Sequence, residues 1–333
     1  MLKILEKPVE VDLNRRLELI NVIENEPGNL RIDPNNFRGV TTIVDGRRAL
    51  FDSRVIKEDL DQVEKKKKWI EENESKLSGE ERLNKAVALF VESAIPSCIR
   101  KFNWLGNVRV IRPSLYDDYF NGIDCAIQIF PEEIVESDID IRCMGFSIDF
   151  TISEKAKEKK LYDIINTIAD GKTPSMKYFE TEIRKKDGLQ EIKRREFLVP
   201  KVVITCSKKW LDESLGYLDG HFKDLDNLIF QEKVRNMALK YLVIRDSIIQ
   251  LELFAVVAEI EGNSFAQKAY LNSLSAFKKI LNELKINRED LDKRVDAVER
   301  SAPAFDPNTH HDIVEMWIKA AKEAKENKKR GRF

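Results

Sequence analysis

Between residues 144 and 153, MGFSIDFTIS, apolar and small or polar positions alternate. Met144, Phe146, Ile148, Phe150 and Ile152 fall on one side; Gly145, Ser147, Asp149, Thr151 and Ser153 fall on the other. A period of two is that of a β-strand. GIDCAIQIF (122–130) repeats it, with Ile123, Cys125, Ile127 and Ile129 opposite Gly122, Asp124, Ala126 and Gln128. VRVIR (108–112) and FLVPKVVITC (197–206) are further strand candidates. Elsewhere the period is helical. Residues 56–102 read as two helices interrupted at Ser78-Gly79, the second with an apolar stripe of Leu83, Val87, Phe90, Val91 and Ala94 and a predicted end before Pro96. A lysine-rich helix spans 154–169 and is ended by Gly171, Thr173 and Pro174. From about 225 the pattern is helical only, over 226–261, 264–285, 288–300 and 308–327.

This order, helix-strand-strand-strand-helix-strand followed by helices, predicts an α/β (α+β) fold with a central mixed sheet and an all-helical C-terminal region. Short links make the first three strands an antiparallel meander; the fourth follows a helix and is expected to pair in mixed or parallel fashion. Ahead of this core, residues 1–60 form a mixed segment, with a helix over 11–24 and a hairpin whose strands flank Asp45-Gly46. The expected divisions are 1–60, a core over 61–215, a helical region over 216–327 and a basic tail over 328–333.

If the two alternating strands are neighbours, their apolar faces point the same way. Asp124 and Asp149 then share the opposite face. Close carboxylates repel and raise each other's pKa unless a cation lies between them. A hard divalent ion such as Mg²⁺, or Mn²⁺ in its place, suits one or two carboxylates with water and phosphate oxygens. The plainer alternative is an antiparallel sheet with a wetted face, which tolerates aspartates. Glu92, beside the apolar stripe of its helix, is a third candidate ligand.

Charge changes the picture by its distribution. Hydrophobic residues make up 42% of the chain and charged residues 35%, enough for a core and for long solvated helices, but the formal net charge of −1 does not point to a partner. Between Tyr116 and Ile141 the chain carries acids at 117, 118, 124, 132, 133, 136, 138 and 140, without a lysine or arginine. From Lys155 to Lys209 basic clusters follow: Lys155, Lys157, Lys159 and Lys160; Arg184, Lys185 and Lys186; Lys193, Arg194 and Arg195; Lys208 and Lys209. An acidic pocket with basic flanks fits a metal site that also holds a polyanion, and a solvated helix face is the alternative.

With these elements the chain resembles the PD-(D/E)XK nuclease superfamily, whose cores run from a helix with a glutamate, through a strand with an aspartate and a strand with D/E-x-K, to a helix and a further strand. Glu92, Gly122 and Asp124 in NGID, and Asp149 in IDFT match that order over about residues 80–210. The glycine-then-aspartate turn is similar to that of archaeal Holliday-junction resolvases. The resemblance implies Mg²⁺-dependent hydrolysis of phosphodiester bonds in nucleic acid, DNA before RNA. It makes Asp124, Asp149 and Glu92 metal ligands and Thr151 and Asp118 supporting residues. Lys160, Arg184, Lys185, Lys186, Arg194 and Arg195 would grip backbone phosphates. One departure stands out: the position two residues after the acid, a lysine in the family, is Thr151 here. A lysine from the following helix would take its place. Lys155, Lys157 and Lys160 are the candidates, with Lys155 nearest in sequence and assigned the catalytic role. Asp117 and Asp118 read either as turn residues or as outer ligands.

Other signals carry less. Cys98, Cys125, Cys143 and Cys206 form no C-x-x-C pair and read as buried thiols, so a reducing cytoplasm is expected. The start of the chain has no secretory pattern. The most apolar window, 241–260, contains Arg245, Asp246, Gln250, Glu252 and Glu259, which makes it a buried helix and not a membrane span. His310, His311, Asp312 and Glu315 fit a helix start better than a metal cluster, and no phosphate-binding or dinucleotide motif is present. The helices after 225 read as a bundle on the core, a homodimer surface or a DNA-gripping arm. Two rivals to the nuclease stand: a non-catalytic nucleic-acid-binding or assembly protein that keeps the fold, and a helical scaffold with a wetted sheet.

Overall fold

The computed structural model describes residues 20–21, 23, 25, 30–44, 47–106, 108–129, 144–152, 154–184, 190–206 and 228–300. The helices expected over 11–24 and 308–327, the histidine cluster, Cys143 and Lys208-Lys209 lie wholly or mostly outside these residues.

The first hairpin forms as expected: β1 (Thr41–Val44) pairs antiparallel with β2 (Arg47–Leu50). Helix α1 (Ser53–Glu74) starts where the Asp52 carboxylate accepts the Arg54 N–H. Helix α2 (Gly79–Lys101) starts on a capping box, in which Ser78 and Glu81 each bind the other's backbone N–H. It does not stop before Pro96 but runs through it to Lys101. Proline removes one helical hydrogen bond, that to the Glu92 carbonyl. Burial of Ala94, Ile95, Cys98 and Ile99 on both sides of it outweighs that loss.

The central sheet has four strands: β3 (Val108–Ile111), β4 (Cys125–Ile129), β5 (Met144–Thr151) and β8 (Lys201–Thr205), in that spatial order. The first two pairings are antiparallel and the last is parallel, the mixed sheet that the element order predicts. Between β3 and β4 lies a short helix, α3 (Leu115–Asn121). Asp117 and Asp118 are therefore not turn residues. They occupy the first turn of a helix, where the helix dipole favours acids. Helix α4 (Glu154–Ala169) matches the expected lysine-rich helix.

The stretch 197–206 is not one strand. A long hairpin, β6 (Ser175–Arg184) and β7 (Gln190–Leu198), precedes β8, and Val199-Pro200 separates them. Proline cannot donate to a ladder, so the break falls there. Of the basic residues in this stretch, Arg184 falls on β6 and Lys193, Arg194 and Arg195 fall on β7. The helix expected over 226–261 is also two, α5 (Leu228–Arg235) and α6 (Ala238–Ile260). Asn236 sits at the break, its side-chain amide bonded to the Glu232 carbonyl, a local competition that disfavours helix interiors. Helices α7 (Ser264–Glu283) and α8 (Arg288–Arg300) complete the described chain.

One face of the sheet, Cys125, Ile127, Ile129, Phe146, Ile148 and Phe150, is fully buried in a single core shared with α2, α4, α6 and α7. Helix α6 is apolar nearly all round and lies inside this core. Its Gln250 closes the free edge of β8, accepting the Val203 N–H at 2.8 Å and donating to the Val203 carbonyl at 2.7 Å. Among the described residues no helix is long and apolar enough to cross a membrane. The other face was expected to be open, yet Gln128, Ser147, Asp149 and Thr151 are buried. The β6–β7 hairpin covers part of it, packing Met176, Phe179 and Val199 against Ile111, Ile123 and Ala126. Asp117 fixes that cover: its buried carboxylate accepts Ser114 Oγ, Asn121 Nδ2 and the backbone N–H groups of Lys177 and Tyr178 on β6.

Candidate functional site

Strand register brings the two aspartates together. Cys125 lies opposite Ile148, so the next step of the antiparallel ladder sets Asp124 beside Asp149. The Asp124 N–H donates to the Ile148 carbonyl at 3.0 Å, and its Oδ2 accepts the Phe150 N–H at 2.5 Å. Asp149 is 3% exposed, and both of its oxygens meet an ammonium. Lys160 of α4 binds Oδ1, and Lys201 of β8 approaches Oδ2 to 3.0 Å. Each lysine also donates to a carbonyl, Lys160 to that of Phe150 at 3.1 Å and Lys201 to that of Asn121 at 3.0 Å. A lysine ammonium has three donors, so one remains on each.

Gly122 makes room for this arrangement. It ends α3 in the left-handed region at φ +58°, and a Cβ there would stand 2.7 Å from Lys201 Nζ and 3.1 Å from Asp149 Oδ2. Only glycine permits both the turn and the close approach of the ion pair.

A small cleft opens beside the ion pairs, lined by Glu92, Ser93, Pro96, Val110, Arg112, Asp124 and Cys125. The Glu92 carboxylate makes no hydrogen bond or ion pair among the described residues. Burial, then the charges of Asp118 and Asp149, push its pKa up to about 7 against the partial opposition of Lys160 and Arg31. Burial, then Glu92 and Asp149, raise Asp124 well above the carboxylate range. Asp118 also lies high through burial, although Arg31 holds it at 2.7 Å. Burial pulls the Lys160 ammonium down, but its contact with Asp149 more than offsets this. Burial is the first cause in all three carboxylates, and each is raised further by its acidic neighbours.

The residues expected from the sequence divide into four groups. Asp124, Asp149, Glu92 and Lys160 come together, with Asp118 at the rim and Thr151 buried at the end of β5, its carbonyl accepting the Cys206 N–H. Lys157 is not in the site: it faces away and lies 3.4 Å from the buried Asp246 of α6. The side chains of Lys155, Arg184, Lys185 and Lys186 lie outside the described residues. Arg194 and Arg195 already have partners within the chain, Glu180 at 2.8 Å and the Phe197 ring at 4.8 Å.

Lys201 was missed. Its signal was a single lysine opening an apolar strand just after Pro200. Parallel pairing, Ser147 opposite Lys201, puts it on Asp149's face, and no single-strand pattern contains that pairing.

Among the described residues no three His, Cys, Asp or Glu side chains are gathered as a ready-made metal shell. Oxygen donors nonetheless suit a hard cation, and Mg²⁺ takes one or two carboxylates and keeps its waters. Asp124 and Glu92, two carboxylates that line the cleft together with Arg112, supply that number; Asp149, committed to two lysines, does not complete a three-carboxylate set. The chain matches no protein-family model, no curated protein and no solved structure.

Proposed function

We propose that the chain is a metal-dependent nuclease that hydrolyses phosphodiester bonds in nucleic acid, DNA in the first instance. The observation that carries this reading is the placement of Lys160. The strand lacks the motif lysine at Thr151, and the Lys160 ammonium lies on Asp149, beside Asp124, from the neighbouring helix. Lys160 is thus the catalytic lysine of this reading, and it serves chemistry more than backbone grip.

Asp124 and Glu92 would hold one Mg²⁺ or Mn²⁺. When bound, such an ion supplies positive charge to a phosphate oxygen and acidifies water. Asp149 fixes Lys160 through one oxygen, and the remaining Lys160 donor orients the attacking water or a phosphate oxygen. The Phe150 N–H anchors Asp124, which limits its motion as charge develops. Basic residues of the β6–β7 hairpin would contact backbone phosphates without reading bases. Buried thiols at Cys98, Cys125 and Cys206 suit a reducing, cytoplasmic setting.

One observation favours a non-catalytic nucleic-acid-binding module: both Asp149 oxygens are already satisfied by lysines. Cleavage decides between them. Labelled single-stranded, duplex and branched DNA, with Mg²⁺, Mn²⁺ or chelator, should be cut by the wild type in a metal-dependent way and spared by Asp124→Ala and Asp149→Ala. Binding without cutting by a folded wild type on every substrate would leave the module reading.

A further inference from the structure

Lys201 has no counterpart in the expected site, yet the fold is shaped around it. Its Nζ lies 3.0 Å from Asp149 Oδ2 and 3.0 Å from the Asn121 carbonyl, with the side chain 13% exposed. Its own backbone is held at both ends by the Tyr270 hydroxyl, which takes the Lys201 N–H at 3.3 Å and reaches the carbonyl at 3.4 Å. Gly122 leaves the space that the ammonium fills. A lysine held this way is a fixed positive charge.

Two-metal phosphodiester sites place two ions about 4 Å apart, clamping the attacking and leaving oxygens. A carboxylate between them must give an oxygen to each. Asp149, beside Asp124, is the carboxylate so placed, but its two oxygens are given to Lys160 and Lys201 instead. We infer that Lys201 takes the place of a second metal ion, so that the site works with a single divalent cation held by Asp124 and Glu92. The third Lys201 donor then faces a phosphate oxygen, a duty a second ion would otherwise perform. This inference rests on the nuclease reading.

Counting bound ions on the full-length protein tests it, by Mn²⁺ titration followed through the loss of the free-ion paramagnetic resonance signal. The wild type should bind one Mn²⁺ per chain, Lys201→Arg one, and Lys201→Met two, because Asp149 Oδ2 becomes available. Lys201→Gln serves in the same way if Lys201→Met does not fold. Cutting should turn from first to second order in Mn²⁺ in the neutral variants. Two ions on the wild type, or one on a folded neutral variant, would overturn the inference and leave the nuclease reading standing. No ion on the wild type would sink the metal-dependent reading itself, and this inference with it.

Discussion

At the scale of single residues the account turns on which lysine does what. Lys160 and Lys157 stand three apart on α4 and face different partners. Lys160→Ala should lower cleavage by about 100-fold or more, the usual loss when one preorganised electrostatic group is removed, with some loss of stability because the buried Asp149 keeps only Lys201. Lys157→Met should cost stability and leave cleavage alone. It removes one of two cations from the buried Asp246, whose other partner is Arg245 at 3.5 Å, a loss on the order of 2 kcal/mol, visible in chemical denaturation. Glu92 gives a pH test. Its pKa rises from an ordinary 4.5 in the unfolded chain to about 7 in the fold. Between those values the native state holds more protons, so Glu92 stabilises fully below about 4.5, and that contribution is lost as pH rises through about 7. Glu92→Gln should therefore gain on the order of 2 kcal/mol over the wild type at pH 8 and flatten the slope of stability against pH. Denaturant titrations at pH 5 and pH 8 check both.

At the scale of elements the sheet edge and the hairpin cover are the parts most open to test. Gln250→Leu removes both partners of the Val203 backbone on β8. Each orphaned buried group costs about 1–3 kcal/mol, so denaturation should show a loss near the sum of two such costs, with aggregation through the exposed edge as a second sign. Helices and strands with a clean period were legible from the sequence: β5 and α4 fall where their patterns put them, and the antiparallel pairing of β3, β4 and β5 is as expected, although a helix and residues 130–143 stand where short links were read. The rest depended on distant contacts. Pro96 is a stop signal locally, and only burial on both sides shows why the helix continues. The β6–β7 hairpin was hidden because its charged residues read equally well as a loose basic cluster. Asp124 and Asp149 could be paired from strand parity alone. Lys201 could not, because its place follows from parallel pairing across an intervening helix and hairpin.

At the scale of the whole molecule, carboxylates and lysines far apart in sequence meet in one place. The sheet brings Asp124 and Asp149 side by side, α2 adds Glu92, α4 adds Lys160 and β8 adds Lys201, so five elements separated in sequence converge on one cleft and its flank. A net charge of −1 leaves no general attraction to nucleic acid; on the nuclease reading binding would be local, and salt should weaken it through only a few phosphate contacts. Two lysines on one buried aspartate beside a second aspartate favour the site reading over a wetted sheet on a scaffold. The most direct measurement is single-turnover cleavage of labelled DNA by Lys160→Ala beside the wild type and Asp124→Ala, with Mn²⁺ binding measured on the same preparations. The account predicts that Lys160→Ala binds Mn²⁺ as the wild type does but cuts about 100-fold more slowly or worse, whereas Asp124→Ala loses both. Wild-type cutting by folded Lys160→Ala would contradict it.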